Sequence, residues 1–291
     1  MSIFSNILNR PLHTLAEASP TTAMDTSHVA SVDLSALNSP STITESPYPE
    51  VRNDIIQGGM GNDALYGNEG SDEIYGLGGN DVIRGYGGKD LLDGGAGNDS
   101  IYGGDGADRL RGGADNDKLW GDLGNDTVLG GAGKDSLWGG AGDDNLDGQD
   151  GDDMLWGGAG NDNLWGTNGN DTLAGGEGSD NMSGGQGKDV FDYFSTSESK
   201  VSNPDLIRFF KPGEDKIDLS DIDANTSVAG DQGFNVQSYG NGQVYAGDLI
   251  WHYDAPSNKT IIEAGVDNSN AADMRIELDG NIDLKASDFI L

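Results

Sequence analysis

The sequence contains no cysteine and no run of about 18 apolar residues. It therefore offers no disulfide bond or thiolate metal site, and it predicts no transmembrane segment. Basic residues are scarce, with 16 Lys and Arg against 50 Asp and Glu and a formal net charge of −34. Such a charge disfavours nucleic acid and anionic membranes as partners and favours multivalent cations. Only 34% of the residues are hydrophobic, which is too few for a conventional core.

Glycine is abundant instead, with 48 residues arranged mostly in a nine-residue repeat. Residues 58–192 form fifteen consecutive units, from GGMGNDALY to GGQGKDVFD, and a half unit at residues 53–57 precedes them. The first position is always Gly, the sixth is always Asp and the eighth is always apolar. A period held in phase at three positions is the signature of a solenoid. We therefore predict an all-β fold, a right-handed parallel β-roll in which two units form one coil and each unit stacks on the unit after next.

The composition divides the chain into three parts. Residues 1–48 are rich in Ser, Thr, Ala and Pro and are predicted to be a flexible arm. Residues 49–192 form the β-roll. In residues 193–291 the glycine density falls and strand-like segments appear, at 206–210, 216–219 and 248–251. We expect this last part to be a β-rich region that caps the roll.

Each unit divides into a six-residue turn, GGxGxD, and a three-residue strand. Glycine allows the turn to adopt positive φ and to bring its carbonyl oxygens together. Carbonyl oxygens and an Asp carboxylate form a hard-oxygen site that suits Ca²⁺. Stacked turns can share an ion, which gives roughly 14 sites if every pair of Asp residues is used. The predicted ligands are Asp54, Asp63, Asp72, Asp81, Asp90, Asp99, Asp108, Asp117, Asp126, Asp135, Asp144, Asp153, Asp162, Asp171, Asp180 and Asp189.

The same pattern predicts that calcium drives folding. One inward aliphatic side chain per unit buries too little apolar area to offset the chain entropy, and stacked carboxylates repel one another. Metal binding must then supply the folding free energy.

Departures from the pattern mark the weaker turns. Asp115 replaces the fourth-position Gly, so we expect this turn to lose its geometry or its ion; the second-position Gly is replaced at Asn68, Leu77, Tyr86, Asp122, Gln149 and Thr167.

An outward ladder is predicted at the ninth positions of alternate units, which read Tyr66, Arg84, Tyr102, Trp120, Trp138 and Trp156. One interpretation is a platform for a glycan. The other is an aromatic stack that stiffens this face or docks another part of the chain. Rungs spaced about 4.8 Å apart would cover one another and leave little room for a sugar, which favours packing or docking.

The array resembles the repeats-in-toxin proteins, whose motif is G-G-x-G-x-D-x-U-x, where U is apolar. The following region resembles the C-terminal part of serralysin-type metalloproteases and alginate epimerase modules, through GEDKIDLS at residues 213–220. Residues 286–291 are similar to the uncleaved C-terminal signal that such proteins present to a type I secretion apparatus. The resemblance implies export in an unfolded state from a calcium-poor cytosol, and folding outside the cell where calcium is millimolar.

No catalytic constellation accompanies the repeat. None of His13, His28 and His252 lies in an H-E-x-x-H motif, and no G-x-S-x-G motif is present. We therefore predict a secreted, non-enzymatic calcium-binding protein that acts as a matrix, surface or host-interaction factor. The alternatives are an accessory polysaccharide-binding module that resembles an epimerase repeat module, and an enzyme whose activity would come from residues 193–291 or from the arm.

Overall fold

The computed structural model describes residues 31–33, 42–43, 51–226, 233–237, 244–267, 269 and 271–291. Within these residues the chain forms 25 strands and a single 3₁₀ helix, Ala286–Asp288. In chain order the strands are β1 (Ser31–Asp33), β2 (Thr42–Ile43), β3 (Ile55–Gln57), β4 (Ala64–Tyr66), β5 (Glu73–Gly78), β6 (Val82–Gly88), β7 (Leu91–Ala96), β8 (Ser100–Gly106), β9 (Arg109–Ala114), β10 (Lys118–Leu123), β11 (Thr127–Ala132), β12 (Ser136–Ala141), β13 (Asn145–Asp150), β14 (Met154–Ala159), β15 (Asn163–Asn168), β16 (Thr172–Glu177), β17 (Asn181–Gln186), β18 (Val190–Asp192), β19 (Asp205–Ile207), β20 (Lys216–Asp218), β21 (Asn235–Gln237), β22 (Asp248–Asp254), β23 (Lys259–Ala264), β24 (Met274–Asp279) and β25 (Phe289–Ile290).

Two sheets face each other, and in the roll each strand pairs with the strand after next. The first sheet has the order β1-β3-β5-β7-β9-β11-β13-β15-β17-β19-β24-β23-β22-β21, and the second has the order β2-β4-β6-β8-β10-β12-β14-β16-β18-β20-β25. Pairing in the repeat is parallel with an offset of two units, so Trp120 lies beside Trp138. The predicted all-β parallel β-roll is confirmed.

Most strands of the roll are longer than the three residues that the repeat suggests. β10 continues past Trp120 into the next unit, where Asp122 and Leu123 also pair with the following coil. The strand can continue because the second residue of the unit, here Asp122 with φ of 73°, bends the backbone without ending the ladder. The turn proper is therefore confined to the fourth to sixth positions.

The interior of the roll is filled by a column of side chains to which each unit contributes one residue. The eighth-position residues are at most 1% exposed, from Leu65 to Phe191. Alternation along each strand places the seventh and ninth residues on the outer face. The column continues beyond the repeat with Ile207 and Ile217, which are fully buried. The predicted inward positions are confirmed, and the core is only one side chain wide per strand.

The region after the repeat extends both sheets. β24 pairs in parallel with β19, and β22, β23 and β24 form an antiparallel meander at the end of the first sheet. β25 pairs with β20 and ends the second sheet. Trp251 and Phe289 lie 5.4 Å apart between ring centroids and join the two sheet ends. This part is the β-rich cap that the sequence suggests.

Two short strands fall inside residues 1–48. β1 pairs with β3, and β2 pairs with β4, so each sheet starts with a strand from this stretch. The other residues of 1–48, with His13 and His28, lie outside the described part of the chain, and the flexible arm stays a prediction. The domain boundaries at 48 and 192 are likewise predictions.

Candidate metal-binding edges

All sixteen predicted ligands are buried, at most 9% exposed, and they form one row along each edge of the roll. Within a row each backbone N–H donates to Oδ1 of the Asp in the next coil; Asp99 donates to Asp117, and Asp117 donates to Asp135, at 2.7 and 2.8 Å. Fourteen such bonds link the repeat. The rows place carboxylates of successive coils next to one another, as the stacking prediction requires.

The second carboxylate oxygen, Oδ2, has no hydrogen-bond partner in most residues of the two rows. Oδ2 is buried and accepts no hydrogen bond at Asp81, Asp90, Asp99, Asp108, Asp117, Asp126, Asp135, Asp144, Asp153, Asp162, Asp171, Asp180, Asp189 and Asp205. Buried polar atoms are normally paired, because an unpaired one costs about 1–3 kcal/mol and a charged one costs more. Seven unpaired carboxylate oxygens on each edge, fourteen in all, therefore require protons or cations along both edges.

The invariant first-position glycine makes room for this oxygen. A Cβ on Gly112 would lie 2.3 Å from Oδ2 of Asp117 and 2.6 Å from the carbonyl oxygen of Gly130 in the next coil. The equivalent point at Gly121 is 2.4 Å from Asp126 Oδ2 and 2.5 Å from the Gly139 carbonyl oxygen. A carboxylate oxygen and a carbonyl oxygen converge in this way at twelve of the fifteen first-position glycines. This donor set fits Ca²⁺, which takes about six to eight oxygen ligands.

Side chains alone do not make up a metal site in the described part of the chain. Among the described residues, no cluster of three or more His, Cys, Asp and Glu side chains is arranged to hold a metal ion. A site in the rows would draw on two carboxylates and on main-chain oxygens, which suits a hard cation better than zinc or copper. The sixteen Asp residues fit calcium, and their role as ligands remains a prediction.

The replaced glycines keep the turn conformation at a cost in backbone strain. Five of the six second-position replacements have φ between 73° and 79°, namely Leu77, Tyr86, Asp122, Gln149 and Thr167. Asn68 does not; its side chain instead donates to Asp54 Oδ2 at 3.0 Å. Asp115 has φ of 77°, and the strand before it keeps its pairing, with Ala114 beside Ala132. The geometry expected to fail at Asp115 is therefore retained, and the loss of its ion stays untested.

Burial disfavours the ionised form of these carboxylates. It raises the pKa of Asp99 to about 7, that of Asp117 to about 8 and that of Asp144 to about 7. The backbone N–H bond to each carboxylate lowers the pKa, and the charges of the neighbouring Asp residues raise it again. Ionised rows are thus unfavourable in the absence of a counterion.

Two members of the rows were missed by the sequence reasoning. Asp205 Oδ1 accepts from Asp180 N–H at 2.9 Å, and Asp215 Oδ1 accepts from Asp189 N–H at 3.2 Å. Residues 200–208 and 210–218 are therefore degenerate units, KVSNPDLIR and FKPGEDKID, each with Asp at the sixth and an apolar residue at the eighth position. The sequence feature that could have identified these two units is the triplet of Asp, any residue and an apolar residue. It was hidden because residues 193–199 shift the phase and Phe209, with φ of 57°, is inserted between the units.

A second ladder was also missed, at the fifth position. Asn62 Oδ1 accepts from Asn80 N–H at 2.8 Å, and Asn80 Oδ1 accepts from Asn98 N–H at 2.9 Å. These bonds lie on the exposed side of the turns and link coils without an ion. They explain why Asn recurs before the sixth-position Asp.

Part of the predicted aromatic ladder is stacked in the structure. Tyr102 and Trp120 stack at 4.5 Å between centroids, and Trp120 and Trp138 stack at 4.7 Å, both within 3° of parallel. The guanidinium of Arg84 lies 4.1 Å from the centre of the Tyr102 ring. Trp156 stacks on Phe194, which follows the repeat, at 5.3 Å. Rings this close leave no room for a sugar between them, so the geometry favours packing and docking, and both roles of Tyr66, Tyr102, Trp120, Trp138 and Trp156 remain predictions.

Stacked nonapeptide coils with carboxylate-lined edges define a β-roll of the repeats-in-toxin class. The family model described as Peptidase M10 serralysin C terminal matches residues 51–291, and the chain belongs to this family. Serralysin C of Dickeya chrysanthemi is 31% identical over 101 residues, which cover 35% of this chain and 19% of that protein. Serralysin A of the same organism is 30% identical over 101 residues, covering 35% and 20%. The match spans about a fifth of the length of these curated relatives.

Solved structures with similarity include two subunits of the mannuronan C5-epimerase of Azotobacter vinelandii. The AlgE6R3 subunit is 27% identical with a TM-score of 0.40 and covers 52% of this chain and 78% of that one. The AlgE6R2 subunit is 28% identical with a TM-score of 0.37 and covers 51% and 87%. Among the described residues, no helix has the length and apolar character needed to cross a bilayer.

Proposed function

We propose that this protein is a secreted, non-enzymatic calcium-binding protein whose roll folds when Ca²⁺ enters the two rows of Asp residues. The single observation that supports this proposal is the series of buried Oδ2 atoms without a hydrogen-bond donor. Calcium at these oxygens would supply the missing positive charge and join adjacent coils. The sixth-position Asp residues from Asp54 to Asp189, together with Asp205, would hold the ions, with turn carbonyls completing each site.

Calcium dependence fits the narrow core and the charge. Each strand of the roll contributes one buried side chain to the interior, while the chain carries a net charge of −34. Filling roughly 14 shared sites with divalent ions would neutralise most of that charge. Folding would then follow the calcium concentration, with affinities in the weaker range typical of extracellular modules.

Secretion and the absence of catalysis are parts of the same proposal. Family membership supports passage through a type I secretion apparatus in the unfolded, calcium-free state, with residues 286–291 as part of an uncleaved signal. The Asp pairs of the turns are committed to the proposed ion sites, which leaves them unsuited to acid–base catalysis. Outside the cell the folded roll would act as a matrix, surface or host-interaction factor.

The test measures order and ion content in the same samples. Circular dichroism and limited proteolysis are followed as calcium is removed by a chelator and returned, and native mass spectrometry counts the ions. We expect the β signal and the protease resistance to disappear and to recover. A chain that stays ordered after chelation would refute the proposal.

A pair of variants in one turn separates the sites from general charge effects. Asp117→Asn removes a buried sixth-position carboxylate, and Asp115→Asn removes an exposed fourth-position carboxylate. Both raise the net charge by one, and Asn tolerates the positive φ of position 115. Only Asp117→Asn should lose ions and require more calcium to fold.

A further inference from the structure

The two edges of the roll end differently. On one edge the row ends at Asp205, whose Oδ2 is buried and unpaired; the buried hydroxyl group of Tyr193 lies beside this carboxylate. On the other edge it ends at Asp215, and both oxygens of this carboxylate accept from the chain. Oδ1 accepts from Asp189 N–H at 3.2 Å, and Oδ2 accepts from Lys211 N–H at 2.8 Å. The last carboxylate of this edge therefore lacks the open oxygen found in the middle of the row, as do Asp63 and Asp72 at the other end of the roll; what sets it apart is the side chain of Lys211.

Lys211 occupies the second position of the degenerate unit 210–218. Its backbone N–H reaches Asp215 Oδ2 as the second-position N–H of Gly59 reaches Asp63 Oδ2, at 2.7 Å. Its ammonium group donates to the carbonyl oxygen of Gly185, the second residue of the stacked unit in the preceding coil. The side chain thus crosses the interface between these two coils and brings a positive charge to it.

The charge acts on the carboxylates of this interface. At Asp189 and at Asp215 burial raises the pKa, and the nearby charges of Asp215 and Glu214 add to this rise, whereas the charge of Lys211 opposes it. At the other end the charged neighbours of Asp180 are acids, Asp162 and Glu198, which raise its pKa further. One edge therefore ends beside a fixed cation and the other ends beside additional negative charge.

We propose that Lys211 is a tethered cation that takes the place of a calcium ion at the last coil interface of its edge, between Asp189 and Asp215. The interface between Asp180 and Asp205 keeps an ion, so the two edges bind different numbers of ions. This inference rests on the proposed calcium function, and it assigns to one interface a counterion that is part of the chain.

The test is an ion count by native mass spectrometry at saturating calcium. Lys211→Met keeps the side-chain length and removes the charge, and Lys188→Met makes the same change at an exposed fifth-position lysine of the preceding coil. We expect Lys211→Met to bind one ion more than the unaltered chain, and Lys188→Met to bind the same number. An unchanged count in Lys211→Met overturns the inference.

A second pair of variants keeps the test decisive if Lys211→Met fails to fold. Asp205→Asn should lose an ion, whereas Asp215→Asn should keep the full count because its partner is the lysine. Loss of an ion in Asp215→Asn would also overturn the inference. Failure of the proposed function would look different, since the unaltered chain would then bind no calcium at all.

Discussion

Gly112→Ala tests whether the first-position glycine is required by the carboxylate beside it. The new Cβ would lie 2.3 Å from Asp117 Oδ2 and 2.6 Å from the Gly130 carbonyl oxygen. The backbone at Gly112 is outside the positive-φ region, so the penalty is steric. Overpacking of this kind costs about 1–3 kcal/mol.

Displacement of Asp117 adds a second penalty, because this residue joins two coil interfaces: its carboxylate accepts from Asp99 N–H, and its own N–H donates to Asp135 Oδ1. At a calcium concentration ten times the Kd, each lost site removes about 1.4 kcal/mol of stabilisation, or about 3 kcal/mol for two. Together the two penalties reach about 4–6 kcal/mol. We expect a calcium midpoint shifted to higher concentration and a Tm lowered by about 10 °C or more.

The assay is thermal unfolding at several calcium concentrations, with ion counting on the same samples. Gly78→Ala is the matched control: it is also a glycine-to-alanine change in the roll, but its Cβ would be 3.3 Å from the end of the flexible Met60 side chain. Alanine already occupies this third position at Ala96 and Ala114. Equal effects of the two variants would refute the proposed role of the first glycine.

Three further predictions follow from the same geometry. Trp120→Ala removes two stacked contacts worth about 0.5–1.5 kcal/mol each, so it should lower the Tm without changing the ion count, whereas the exposed Trp165 should tolerate alanine. Leu137→Ala opens the fully buried column and should cost about 2–5 kcal/mol in unfolding free energy; Leu123→Ala, at a 55% exposed position, is the control. Acid should partly replace calcium: the folded-state pKa of Asp117 is raised to about 8, so its contribution to metal-free stability is present below the unfolded pKa of about 4 and is lost as the pH rises through 8. Circular dichroism in chelator should then show more order at pH 5 than at pH 8.

Much of the roll could be predicted because the spacing of the repeat shows which residues of successive coils lie side by side. Gly, Asp and an apolar residue recur in phase, and this phase alone predicts the coil, the buried column and the two Asp rows. Asp205 and Asp215 could not be found in this way. Their units lack the first-position glycine, and the insertion at residues 193–199 displaces them from the period.

Other features depend on contacts that a period does not encode. The stack of Trp156 on Phe194 requires the chain after the repeat to return to the second sheet. The role of Lys211 requires the coil 210–218 to lie on the coil that contains Gly185. The strands are longer than the predicted three residues because left-handed residues such as Leu77 and Gln149, which the repeat assigns to the turn, lie within a strand.

If the proposed function holds, the sharing of carboxylates would make the roll respond steeply to calcium. Asp117 is bonded to Asp99 on one side and to Asp135 on the other, so an ion that orders one interface also positions a ligand of the next. If roughly 14 sites each contribute about 1.4 kcal/mol at ten times the Kd, the sum is about 20 kcal/mol. At one tenth of the Kd the same sites contribute about 1 kcal/mol in total. Because whole-domain stabilities are about 5–15 kcal/mol, a hundredfold change in calcium would then be enough to convert the roll from unfolded to folded.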